Sequence, residues 1–121
     1  MINLFVDEGY AFDYLSILHL KYSLDSINDT KRIAFESCKE SLEDQLGNKF
    51  DEVFNSKEYK TLYVTNAVTF NAVEDAKTDK IKASKVDELN YKRFVAKKAI
   101  HEKFFGGVMH ETKVGYEVYD T

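Results

Sequence analysis

Three stretches of this chain carry polar side chains where a helix would turn its apolar side. In LNYKRFVAKKAI, residues 89–100, one of the chain's two arginines falls inside an apolar stripe. At 100° per residue Val86, Leu89, Ala96, Ile100 and Phe104 share one face, with Arg93 at its centre and Asn90 and Lys97 on its shoulder. An earlier stretch repeats the pattern: Tyr59, Leu62, Phe70 and Val73 form a stripe with Asn66 in its middle, and Lys77 lies one turn beyond Val73. Near the start, Asp13 falls between Ile17, Leu20 and Leu24, and Lys21 between Tyr10 and Tyr14. A buried charge must be paired, hydrated or bound to a ligand, because leaving it alone is too costly. Asp13 is the natural partner for Arg93 or Lys97, and Asn66 and Asn90 each bring two donors and an acceptor to a network. Such a network can be purely structural, fixing helix register. It can also line a pocket between helices, the usual place for a ligand site in a bundle. Because donors outnumber the single carboxylate, the pocket reading suits an anionic or sugar-like, polyhydroxyl ligand.

The elements that must position these residues follow from punctuation. Proline is absent and only five glycines occur, which favours uninterrupted helices. Asp7 is placed to cap a helix running to about Leu24, and Asn28 or Asp29 to cap a second that reaches Leu46 and stops at Gly47. On the second helix Phe35, Cys38, Leu42 and Leu46 share a face, so Cys38 reads as a small core residue. Phe50 to Phe54 suggests one further turn. Ser56 opens a helix through about Lys77, and Ser84 with Asp87 forms a capping pair for the last helix, which ends at Gly106–Gly107. Residues Ile2 to Val6 read as extended, and the tail VMHETKVGYEVYDT alternates enough to pair with them. The expected fold is all-α: a single domain over residues 1–121, an antiparallel bundle of three long helices plus one shorter, with terminal extended segments that pair.

Composition narrows the function classes. The formal net charge is −4, which argues against general nucleic-acid binding. One cysteine cannot form an intrachain disulfide, the N-terminal MINLFVDEGY lacks a basic leader, and no apolar run approaches the roughly 18 residues of a membrane span. A cytoplasmic protein without membrane or nucleic-acid partners is therefore expected. His19, His101 and His110 lack zinc-site spacing, so no metal is expected. His19 falls toward solvent on its helix and His101 borders the apolar stripe after Lys97. No phosphate-binding loop, nucleophile elbow or Cys–His pair occurs, and Glu74 with Asp75 reads as surface charge. No cofactor is implied, and no catalytic signature decides whether the protein is an enzyme.

The polar positions also carry a resemblance. GYAFDYLSILHLK keeps the Gly9, Asp13, Ile17, Leu18 and Lys21 of a G-E-x-x-D-K motif followed by an apolar run, with Tyr10 and Tyr14 replacing Glu and Lys. Leu62, Asn66, Phe70, Glu74, Asp75 and Lys77 follow L-x-x-x-N-x-x-x-W and its charged continuation, with Phe for Trp. VDELNYKRFVAKKAIH keeps Val86, Asn90, Arg93, Lys97 and Ile100 of V-Y-x-x-N-D-x-R-x-x-x-K-x-x-I-N, departing at Asp87, Tyr91 and His101. Glu111, Lys113 and Tyr116 fit a terminal E-x-K-x-Y element. This order resembles a small bacterial family of helical proteins, without assigned activity, whose members occur near glycosyltransferases in surface-polysaccharide loci. The combined expectation is a polar interhelical pocket for an anionic or sugar-like small molecule, lined by Asp13, Asn66, Asn90, Arg93 and Lys97, with Lys77, Lys113 and Tyr116 at its rim. One alternative is a protein-interaction or homodimerisation module with a structural polar network. A second, implied by the resemblance alone, is an enzyme of sugar or surface-polysaccharide metabolism.

Overall fold

Caps and glycines divide the chain into α1 (Glu8–Leu24), α2 (Asp29–Leu46), α3 (Asn48–Phe54), α4 (Lys57–Lys77) and α5 (Ala83–Phe104). The computed structural model describes residues 2, 4–78 and 82–107, of which 83% are helical with no strand among them. That share far exceeds the roughly one-third usual for globular domains, and the all-helical class is the one expected. Four helices have 17 to 22 residues and one has seven, against an expected three long and one shorter. The helix α2 runs between the expected cap at Asn28 and the expected stop at Gly47, and with 18 residues it is comparable with the other long helices.

Asn28 caps α2: its side chain accepts a 3.1 Å hydrogen bond from the Lys31 N–H, satisfying a first-turn donor. The helix ends at Gly47, whose φ of 58° falls in the region that glycine enters without a Cβ clash. Ser56 opens α4 by accepting the Tyr59 N–H at 3.1 Å. The expected Ser84–Asp87 cap is not present. The N-cap position of α5 belongs to Lys82, which makes no side-chain cap bond, and Ser84 already lies within the first turn. At the other end Gly106, with φ 71°, donates its N–H to the His101 carbonyl at 3.0 Å and stops α5 where the glycine pair indicated. Asp7 stands at the N-cap position of α1 but makes no side-chain cap bond.

All five helices contribute to the core. Phe12 and Leu15 of α1, Phe50 and Val53 of α3, Leu62 of α4 and Ile100 of α5 are all 0% exposed. Phe35 of α2 completes the cluster, with Cys38, Leu42 and Leu46 packed against it, as the α2 stripe indicated. Two other stripes are turned from their expected positions. On α1 the inward residues are Phe12, Leu15 and Leu20, while Leu24 and Lys21 are exposed. This helix is apolar on several sides and packs against α2, α4 and α5, so spacing alone does not choose its inward face. On α4, Phe70 is exposed, and Thr69 and Ala72 are buried instead. These two share a flank with Glu58, whose carboxylate accepts a 2.9 Å bond from Lys103, so the flank facing α5 is the buried one. Among the described residues the N-terminal stretch forms no strand, and its expected partner, residues 108–121, lies outside them.

Phe12 holds the centre of this core, with ring centroids 5.8 Å from Phe50, 6.3 Å from Tyr59 and 6.1 Å from Phe105. Phe12→Ala should destabilise the protein by about 3–5 kcal/mol in urea melts, since the cavity it opens is walled by other fixed rings. A loss below about 1 kcal/mol would show that the site collapses freely.

Candidate functional site

The Asp13 carboxylate is taken out of water by α1 itself: it follows Phe12 on the inward side, and the residue is 3% exposed. It then receives three hydrogen bonds and an ion pair from two other helices. Oδ1 accepts Asn66 Nδ2 at 3.1 Å and Arg93 Nε at 3.3 Å. Oδ2 accepts Arg93 Nη2 at 2.8 Å and lies 3.5 Å from Lys97 Nζ. The Arg93 contact is the two-pronged fork that suits a planar guanidinium to a carboxylate. Asn66 also donates to Ser16 Oγ at 2.6 Å, and the Ser16 hydroxyl donates in turn to the Asp13 carbonyl at 2.8 Å. Lys97, buried, stands 5.6 Å from the centroid of the Tyr10 ring, an aromatic face that suits its ammonium.

Thus α1, α4 and α5 bring together four of the expected site residues: Asp13, Asn66, Arg93 and Lys97. Asn90 lies one turn before Arg93 but gives its Nδ2 to the Val86 carbonyl of its own helix at 3.2 Å. Lys77 is not drawn in; it is exposed and pairs with Glu74 at 3.2 Å on the surface of α4. Lys113 and Tyr116 lie outside the described residues.

Sequence reasoning missed three participants. Ser16, 0% exposed, is one turn after Asp13 on the same face, so the spacing that selected Asp13 could have found it. His101, 5% exposed, accepts the Gly9 N–H through Nδ1 at 3.3 Å, satisfying an orphan donor at the start of α1 from another helix. The Glu8 carboxylate also comes within 3.6 Å of that nitrogen. The third is His19, expected at solvent. It lies instead among Phe35, Phe54, Tyr59 and Tyr63, with Nδ1 3.1 Å from the Tyr59 hydroxyl. Rings supplied by three other helices override the polarity of the side chain.

Chemically, the Asp13 carboxylate is engaged by three hydrogen bonds and an ion pair, and His101 spends Nδ1 on backbone. Cys38, packed against the core, has its thiol pKa pushed up by burial, which disfavours the reactive thiolate. No cluster of three metal-ligating side chains occurs among the described residues. No helix among them is long and apolar enough to cross a membrane. Arg93 differs from the rest. Its side chain is 24% exposed against 4% for Asp13, and its Nη1 meets no acceptor among the described residues. The Asn90 Oδ1 likewise accepts no hydrogen bond among them. Comparison with protein-family models, with curated proteins and with solved structures finds no match to this chain.

If the network is as tightly satisfied as its geometry shows, Asn66→Ala should cost about 1–3 kcal/mol in thermal or urea melts, because it removes donors from both Asp13 and Ser16. Arg93→Lys should also destabilise, since an ammonium cannot reproduce the fork. Two near-neutral variants would contradict the network.

Proposed function

We propose that this is a cytoplasmic ligand-binding helical protein that takes an anionic or sugar-like small molecule at the outer edge of the Asp13–Arg93 cluster. The observation that carries the reading is the division of Arg93 into two edges. One edge, Nε and Nη2, is locked onto a buried carboxylate. The other, Nη1, is left without a partner among the described residues on a side chain that reaches the surface. A guanidinium held rigid by its inner edge presents its outer donors already oriented, which reduces the ordering cost of binding. Asn90, one turn away, adds an acceptor, and Tyr10 an aromatic ring at 40% exposure. On this reading α4 and α5 run antiparallel beside the site, supported by the Glu58–Lys103 bond. The engagement of both Asp13 oxygens by Asn66, Arg93 and Lys97 supports binding over catalysis.

A second reading, an interaction or homodimerisation module, is favoured by a different observation. Ile2, Leu4 and Phe5 stand 86%, 77% and 109% exposed, a short apolar segment that nothing in the described chain covers.

Titration followed by nuclear magnetic resonance tests both. Inorganic phosphate, acetate and glucose, added separately, should include at least one probe that saturably shifts the Arg93 Nε–H and the Asn90 side-chain amide. Asn90→Ala should weaken that response. Absence of any saturable shift with all three would overturn the ligand reading. Relaxation rates from the same samples that report a dimer, reverting to monomer in Phe5→Ser, would favour the second.

A further inference from the structure

His19 of α1 lies where four helices meet. Its imidazole stacks on Phe35 of α2 with centroids 4.7 Å apart and planes at 19°. Phe54 of α3 lies at 5.8 Å, and Tyr59 and Tyr63 of α4 at 6.1 Å and 4.8 Å. The Tyr59 side chain is buried, and its hydroxyl has the His19 Nδ1, at 3.1 Å, as its one partner among the described residues. Burial pushes the Tyr59 pKa far up, so the phenol keeps its proton. A buried hydroxyl with one available acceptor donates to it, which leaves Nδ1 unprotonated.

The titratable and charged neighbours offer no welcome to a positive imidazole. From α2 come the Cys38 thiol and Lys39, whose Nζ stands 5.2 Å from the Phe54 ring centroid. From α4 come the phenols of Tyr59 and Tyr63, and from α1 that of Tyr22, which packs on Phe35. The contact from α3 is Phe54, and no carboxylate pairs with His19 among the described residues.

Anchorage differs between the helices around it. The Asp13 network ties α1 to α4 and α5 and contains no residue of α2. In α2 the one buried residue is Phe35, the ring stacked on His19.

We propose that His19 is a proton-operated latch: uncharged it holds α2 against α1, and protonated it releases α2 while α1, α4 and α5 stay joined. A proton on Nδ1 reverses the hydrogen bond, so that the imidazole donates to the phenol oxygen and the Tyr59 hydrogen loses its acceptor in a buried place. It also sets a positive charge beside Lys39 in an aromatic box. Rotation of the ring toward water relieves both, and takes away the face on which Phe35 stacks. Burial first, and Lys39 second, hold the His19 pKa below its ordinary value of 6.5. The open state therefore binds the proton more readily than the closed one. The latch is fully closed above pH 6.5 and weakens as the pH falls from there toward the depressed value.

Amide hydrogen exchange on the full chain, converted to protection factors at pH 7.5 and 5.0, tests the proposal with α5 as internal reference. A several-fold loss of protection in α2 is expected on acidification, with α5 between Arg93 and Ile100 unchanged. His19→Phe, which keeps an aromatic ring and cannot be protonated, should remove the pH dependence. If that variant does not fold, His19→Gln serves, and the wild-type His19 Cε1–H resonance should titrate below the ordinary histidine range. Constant α2 protection, equal losses in α2 and α5, pH dependence that survives either variant, or a His19 titration at or above the ordinary value would each overturn it.

Discussion

One carboxylate must be satisfied out of water, and that constraint organises the molecule. Asp13 cannot be buried as an ion unless several donors reach it at once, and α1 alone cannot supply them. Asn66 must come from α4, and Arg93 and Lys97 from α5, with the fork of Arg93 reaching both oxygens of the acid. Sliding α5 by one residue along its axis would swing Arg93 away by about 100° and strand the charge. The network therefore selects one register of three helices among those the apolar residues would tolerate. Its net contribution to stability is a separate matter, since buried ion pairs often do no better than apolar residues of the same size. The driving force comes from the rings and aliphatic side chains around Phe12, Phe50, Leu62 and Ile100, all fully buried.

Much of this was legible in the sequence, and the reasons for the rest are physical. Arg93 and Asn66 stood out because a polar residue at the centre of an apolar stripe violates the helical period, and a violation is easier to read than agreement. Helix ends marked by Asn28, Gly47, Ser56 and Gly106 were readable because each has a local mechanism. The rotation of α1 was not. A helix with apolar residues on several sides takes its orientation from its neighbours, and Leu24 and Lys21 turn outward for that reason. His19 was placed outside because its polarity was visible while the surrounding rings, brought by α2, α3 and α4, were not. Ser84 illustrates the converse: a good capping sequence, overruled by a helix that starts before it.

The two proposed features have different physical characters. Around Arg93 the inner edge of the guanidinium is held by Asp13, while Nη1 meets no acceptor among the described residues. Around His19 the proposed sensitivity arises because a proton on Nδ1 would break its pair with the Tyr59 hydroxyl. The first belongs to the rigidly joined helices α1, α4 and α5. The second belongs to α2, whose hold on the core rests on Phe35 and a line of half-buried side chains.

The central claim is that the Asp13–Arg93 pair fixes helix register as one unit, and a double-mutant cycle measures this most directly. Urea melts of Asp13→Asn, Arg93→Ala and the double variant should give a coupling of about 1 kcal/mol or more, the double costing less than the sum of the singles because no charge is left stranded. Single effects that add to within about 0.5 kcal/mol would contradict the claim, since independent residues behave that way.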